Sequence, residues 1–144
     1  MTVAAMLRHK GREVASVQPT DRIAAVAELL TRRQIGAVVV LDAAEQLLGI
    51  VSERDIVHAI AANGARALEM TAGQLMTRAL RTATPETTVL QAMELMTQGR
   101  FRHLPVLSRG ELVGIVSIGD VVKARILQQD HEVDSLRAYV AGSA

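Results

Sequence analysis

Gly49-Ile50-Val51-Ser52-Glu53-Arg54-Asp55-Ile56-Val57 returns further along the chain as Gly114-Ile115-Val116-Ser117-Ile118-Gly119-Asp120-Val121-Val122. Upstream of each copy, Ala37-Val38-Val39-Val40-Leu41 lines up with His103-Leu104-Pro105-Val106-Leu107, and Pro19 with Pro85. The spacing differs by one residue, and the difference falls in the turns at 42–46 and 108–111, where length changes are tolerated. Self-similarity of this kind marks a duplicated unit. With only two copies the expectation is a pair of halves related by a pseudo-twofold axis, packed sheet against sheet.

Each copy reads β-α-β-β-α, so the fold class is α/β (α+β). In the first copy residues 13–17 form a short strand, Pro19 breaks the chain, and Thr20 or Asp21 caps the next helix. Ile23, Val26, Ala27 and Leu30 recur on one helical face. The almost wholly apolar run 37–41 predicts a strand buried on both sides, pairing with the strand 47–51 as a hairpin. The helix after Ser52 ends near Asn63-Gly64, a C-terminal cap signal. In the second copy residues 81–83 are the first strand, and Val89, Ala92, Met93 and Met96 give the helix its apolar face. Residues 104–107 and 112–116 form the hairpin, and the helix after Ser117 runs to about residue 128. The expected divisions are repeat one at 6–63, a linker at 64–76, repeat two at 77–128, and a tail at 129–144. In that tail Val133, Leu136 and Val140 mark a further amphipathic helix.

The composition narrows the function. Of 144 residues 49% are hydrophobic and 22% charged, a globular balance and not a disordered one. A formal net charge of +1 lacks the field of a general nucleic-acid binder. Phe101 and Tyr139 are the only aromatics, too few to stack single-stranded bases. Without cysteine there is no disulfide, thiolate metal site or cysteine nucleophile, and a reducing compartment fits. No signal peptide or membrane-length apolar run is read, so a cytoplasmic protein without nucleic-acid or membrane partners is expected. His9, His58 and His131 are scattered without metal-ligand spacing. No glycine-rich phosphate loop of the Walker or dinucleotide type occurs, and the methionines sit mostly on helix faces as core filler.

The repeated Gly-Ile-Val-Ser-x-x-Asp supports two readings. As structure, serine at a strand-to-helix junction with an acid at the third helical position is a capping box. As chemistry, a serine among the unpaired amides of a helix start favours a phosphate. An aspartate one turn on can accept hydrogen bonds from both vicinal hydroxyls of a ribose. The two are compatible, because a capping carboxylate keeps spare lone pairs. Arg102 and His103 likewise read either as a solvated strand end or as phosphate contacts.

Two β-α-β-β-α copies, each ending Gly-h-h-Ser-x-x-Asp with h apolar, resemble the paired CBS domains that form a Bateman module. The resemblance spans residues 6–127 and is closest to small stand-alone bacterial members. It implies an adenine ligand (AMP, ADP, ATP, NAD or S-adenosylmethionine) in clefts between the copies. The ribose would be held by Asp55 and Asp120, with Ser52 and Ser117 near ribose or phosphate. The start of the second strand of the opposite copy would line the adenine pocket. Ile35, Gly36 and Ala37 would then face the Asp120 site, and Phe101, Arg102 and His103 the Asp55 site. Lys10-Gly11 is a further candidate at the Asp120 site; copy two has Arg78-Ala79 in its place, so the sites should differ. AMP or NAD is expected first and ATP or ADP next, because few cations stand ready for phosphate.

Three functions compete: a ligand-sensing regulatory module, an enzyme acting on nucleotides, and a structural dimerisation unit whose motifs only cap helices. No nucleophile sits beside a base and no metal cluster is visible, so catalysis is not expected. Surplus apolar residues for the length predict exposed helix faces and hence a homodimer, with an unidentified regulated protein as partner.

Overall fold

The computed structural model describes residues 1–142, arranged in two compact units. One comprises Glu13–Leu80; the other joins Met1–Arg12 to the chain from Arg81 onward.

In the Glu13–Leu80 unit, β1 (Ser16–Val17), β2 (Ala37–Leu41) and β3 (Leu47–Ser52) form a sheet in that order. β1 runs parallel to β2, with Ser16 opposite Val39. β2 and β3 are an antiparallel hairpin pairing Val38 with Val51 and Ala37 with Ser52. The hairpin turn is held by Asp42, whose Oδ1 accepts the amides of Ala44 and Gln46 at 2.9 Å each. Val38, Val39 and Val40 are fully buried, as the unbroken apolar run predicts. α2 (Ile23–Arg33) buries Ile23, Val26 and Leu30, and Ala27 is partly buried against the same core. Its cap differs from expectation: neither Thr20 nor Asp21 caps it, and Arg22 holds the N-cap position without a side-chain bond. The Ile23 amide is instead taken by the Met70 carbonyl at 2.8 Å, while the Asp21 carboxylate closes a turn on the Gln18 amide. α3 (Glu53–Asn63) ends at Gly64 with φ +63°. Residues 64–76, read as the link between copies, carry a 3-10 turn (Gly64–Glu69) and the short α4 (Ala72–Leu75). Ala67, Ala72 and Met76 are buried there.

The other unit repeats the plan with α5 (Val89–Gly99), β4 (His103–Ser108), β5 (Glu111–Ser117) and α6 (Ile118–Gly142). Its first strand shrinks to one parallel bridge, Ala83 with Val106. The β4–β5 hairpin pairs Leu104 with Val116 and His103 with Ser117. Thr88 and Gln91 cap α5 reciprocally; Val89, Ala92 and Met96 are buried on its inner face, and Met93 packs against them. This core is completed by α1 (Val3–Lys10), whose Val3, Met6 and Leu7 are buried among α5, β4 and β5 residues. The chain start thus packs with the second repeat, not the first. α6 also departs from expectation. It continues through the stretch where a separate tail helix was expected to begin and reaches Gly142. Residues 128–132 hold no glycine or proline to stop it. The last two residues of the expected tail, 143 and 144, lie outside the described residues.

Candidate functional site

Each repeat ends its hairpin by running a strand directly into a helix, and the motif serine sits at the junction. Ser52 is the N-cap of α3: its Oγ accepts the Asp55 amide at 3.3 Å, and Asp55 Oδ2 accepts the Ser52 amide at 2.9 Å and hydroxyl at 3.0 Å. Ser117 and Asp120 repeat this at 3.1, 2.8 and 2.9 Å. The first helical amide is satisfied alike in both copies: Glu53 N–H donates to the Gly36 carbonyl at 2.9 Å, and Ile118 N–H to the Arg102 carbonyl at 2.8 Å. The capping reading of the motif is therefore realised twice, and both carboxylates are half-buried.

What stands beside each acid differs. Lys10, the last residue of α1, extends its ammonium to Asp120 Oδ2 at 2.6 Å and to the Ile115 carbonyl at 2.9 Å. Gly11 follows as the cap of α1 with φ +97°, a left-handed conformation that suits glycine. In the other unit the equivalent strand residue, Ile50, exchanges two backbone hydrogen bonds with Thr77, at 3.1 and 2.8 Å. The Thr77 hydroxyl then reaches Asp55 Oδ1 at 3.4 Å. One acid carries a cation, the other a neutral hydroxyl.

Partial burial pushes the Asp120 carboxyl up. The Lys10 hydrogen bond, the Ser117 amide, the Lys10 charge and the Ser117 hydroxyl together outweigh it and hold the group below its ordinary value of 3.8. Asp120 is thus ionised at neutral pH. Its three donors converge on Oδ2, which leaves Oδ1 with acceptor capacity of the kind a sugar hydroxyl would use.

The predicted residues fall into two groups. Lys10, Gly11, Phe101, Arg102, His103, Ser117 and Asp120 belong to one unit, and Ile35, Gly36, Ala37, Ser52 and Asp55 to the other. Within each unit the start of the second strand adjoins the motif of its own copy, His103 opposite Ser117 and Ala37 opposite Ser52. The Phe101 ring lies where a side chain on Gly99 would stand. Arg102 and Lys10 are exposed, His103 half-buried. Sequence reasoning missed Thr77. Arg78-Ala79 stands in sequence as the counterpart of Lys10-Gly11, and nothing local marks the threonine just before that pair. Among the described residues no group of three His, Cys, Asp or Glu side chains is placed to hold a metal ion. No helix among the described residues is long and apolar enough to cross a membrane.

The family model of the CBS domain matches residues 7–62 and again 72–127. The CBS domain-containing protein CBSX3, mitochondrial, of Arabidopsis thaliana is 36% identical over 98% of this chain and 72% of its own length. A solved CBS-domain protein of Agrobacterium tumefaciens is 48% identical with a TM-score of 0.84, covering 86% of this chain and 92% of that one. A CBS-domain protein of Pyrobaculum aerophilum, solved in complex with AMP, is 29% identical with a TM-score of 0.74, covering 83% and 89%. The duplicated motif, the repeated β-α-β-β-α plan and these matches agree: the chain belongs to the CBS-domain family, of which it holds two copies in tandem.

Proposed function

We propose that this tandem CBS module is a non-catalytic regulator that binds an adenine nucleotide, AMP or NAD first and ATP or ADP next. The observation that carries this reading is the twice-built Ser–Asp junction. The positive end of the helix dipole at each junction favours a phosphate, and a half-buried carboxylate with an oxygen to spare can accept ribose hydroxyls. The AMP-bound Pyrobaculum relative supports the ligand class. On this reading Asp55 and Asp120 take ribose, Ser52 and Ser117 lie near ribose or phosphate, and Ile35, Gly36, Ala37 and Phe101 line the base. Lys10, Gly11, Arg102 and His103 meet phosphate. The module works as a homodimer in the cytoplasm and passes ligand occupancy to a separate regulated protein.

Calorimetry and thermal shift with AMP, NAD, ATP and adenosine test this. AMP is expected to raise the melting temperature and to bind more tightly than adenosine. No adenine ligand binding would remove the proposal, and adenosine binding as tightly as AMP would remove its phosphate half. The realised capping boxes favour a second reading, a structural pairing module without ligand. That reading predicts no shift with any of the four compounds.

A further inference from the structure

The segments ahead of the two copies are themselves alike. Met1-Thr2-Val3-Ala4-Ala5-Met6-Leu7 precedes the first copy and Met70-Thr71-Ala72-Gly73-Gln74-Leu75-Met76 the second. Thr2 caps α1 and Thr71 caps α4. Both segments dock through equivalent backbone bonds. Val3 and Ala4 N–H donate to the Thr87 and Pro85 carbonyls at 2.7 and 2.9 Å; Ala72 and Gly73 N–H donate to those of Asp21 and Pro19 at 2.8 and 2.9 Å. Leu7 lies against Gly114 of β5, and Met76 against Gly49 of β3. The order is crossed. The lead-in to copy one completes the unit that holds copy two, and the lead-in to copy two completes the unit that holds copy one.

Each lead-in also ends at one acid and continues into the strand beside the other. Past Lys10, which holds Asp120, the chain turns at Gly11 and runs into β1. There the Ala15 carbonyl accepts the Val39 amide at 3.2 Å, on the strand whose Ala37 stands opposite Ser52. Past Thr77, which touches Asp55, the chain reaches Ala83. Ala83 N–H donates to the Pro105 carbonyl and its carbonyl accepts the Leu107 amide, at 2.9 Å each, on the strand whose His103 stands opposite Ser117. Each acid is thus tied, by a few residues of continuous chain, to the hairpin that carries the other.

We propose that the two Ser–Asp junctions are coupled through these crossed lead-ins, so that a nucleotide at one raises the affinity of the other. The proposal takes its ligand from the reading above, but the linkage exists without one. A sugar held by Asp120 fixes the carboxylate on which Lys10 rests, and with it the end of α1 and the entry to β1. The second ligand then meets a β2 start that is already ordered and loses less conformational entropy on binding. The same holds in the opposite direction through Thr77 and Ala83, as linkage between two binding equilibria requires. Coupling of this kind is carried by packed, hydrogen-bonded chain, and neither connecting segment, 12–15 nor 78–82, contains a glycine to slacken it.

Amide hydrogen exchange of the full chain tests the linkage without ligand. Leu7→Ala loosens the end of α1. It is expected to speed exchange of the Val39 amide at least about tenfold relative to the amides of α2, in the same unit as Val39. Met76→Ala is expected to do the same to the Leu107 amide relative to α5. A general loss of stability moves the reference helices equally and leaves both ratios unchanged. Lys10→Met alters a partly exposed side chain and should keep the fold, moving the Val39 ratio in the same direction by about threefold. Unchanged ratios overturn the proposal. Calorimetry with AMP reads the ligand half. The wild type is expected to fill two sites with a Hill coefficient above unity, and a Gly-Ser-Gly-Ser insertion between Arg12 and Glu13 to bring it down to unity with both sites still filled. Two independent sites in the wild type overturn the coupling and leave the nucleotide reading standing. No AMP binding removes that reading, and the exchange ratios then decide the coupling alone.

Discussion

The same position in the two repeats is filled by different parts of the chain, with different chemistry. At β3 it is the backbone and hydroxyl of Thr77, which pair with Ile50 and touch Asp55. At β5 it is the ammonium of Lys10, which takes the Ile115 carbonyl and Asp120. The strand starts differ in the same sense: Gly36 and Ala37 adjoin Ser52, whereas Arg102 and His103 adjoin Ser117. Duplication kept the serine, the aspartate and their hydrogen bonds, and divergence acted on what surrounds them. At one junction a neutral hydroxyl meets the acid, at the other a cation. Two sites built on one motif need not bind equally, and the asymmetry can be attacked at three points.

The largest effect is expected at the motif glycines. A Cβ on Gly49 would stand 2.7 Å from the Thr77 carbonyl oxygen and 2.9 Å from Met76 Sδ. The first is backbone held in the bridge to Ile50, so it cannot step aside cheaply. A Cβ on Gly114 would meet Leu7 Cδ2 at 2.7 Å and Cδ1 at 2.9 Å, the far end of a side chain that can re-settle. Gly49→Ala should therefore cost about 2–3 kcal/mol and Gly114→Ala about 1 kcal/mol, within the range for overpacking. Urea unfolding of the two variants measures the gap. Equal losses would mean that Leu7 is as rigid as the Thr77 bridge.

Next comes ligand binding. Asp120→Ala is expected to weaken AMP binding at least about tenfold, since a hydrogen bond to a charged group contributes roughly 1.5–3 kcal/mol. Asp55→Ala should weaken it less. Asp120 has Lys10-Gly11 in its own unit for the phosphate and Gly119 beside it for close approach, while Asp55 follows the bulkier Glu53 and Arg54. Both substitutions remove the same reciprocal cap, so both should lower unliganded stability alike, by roughly 0.3–1 kcal/mol. A calorimetric ranking in the reverse order breaks the proposed asymmetry. Unchanged affinity in both variants leaves the motif as a helix cap alone.

Much of this architecture is legible from local chemistry. The Ser–Asp pair encodes its own geometry, because a serine before a helix and an acid three residues on satisfy one another wherever the segment folds. The run from Val38 to Val40 encodes burial by having no polar alternate positions. The features that escape the sequence are tertiary choices. Nothing in residues 3–7 says which of two similar cores they complete, and Leu7 chose the second. Thr77 has no local partner, and its role exists only once a bridge sets it beside Ile50. The α2 cap failed for the same reason: the Met70 carbonyl, far along the chain, took the amide that Thr20 or Asp21 was expected to satisfy. Lys10 reads from sequence as a cation for phosphate, but its pairing with Asp120 depends on where α1 docks.

The smallest effect concerns that pairing, and its test is pH. Lys10 and Asp120 are partly exposed, with side chains 34% and 27% accessible, so solvent screens the bridge and its contribution at neutral pH is expected to be about 0.5 kcal/mol or less. Lys10→Met should lower the urea midpoint by a correspondingly small amount at pH 7. The Asp120 carboxyl is held below its ordinary 3.8 in the folded chain, so the unfolded state binds the proton more readily. The stabilisation is fully present above the unfolded value. It declines as pH falls below 3.8 and through the lower folded value, where the carboxylate is neutralised and Lys10 has no charge to meet. The difference between wild type and Lys10→Met should therefore be flat from pH 7 to 5 and close below 3.8. Taking the difference removes the other carboxylates, which titrate in both chains. Thr77→Val is the companion at the other junction. It removes an uncharged donor at 3.4 Å, near the outer limit of a hydrogen bond, and should shift stability by no more than about 0.5 kcal/mol. A gap between wild type and Lys10→Met that persists unchanged to pH 2.5 would show that Lys10 acts through the Ile115 carbonyl and the packing of its stem, not through the charge of Asp120.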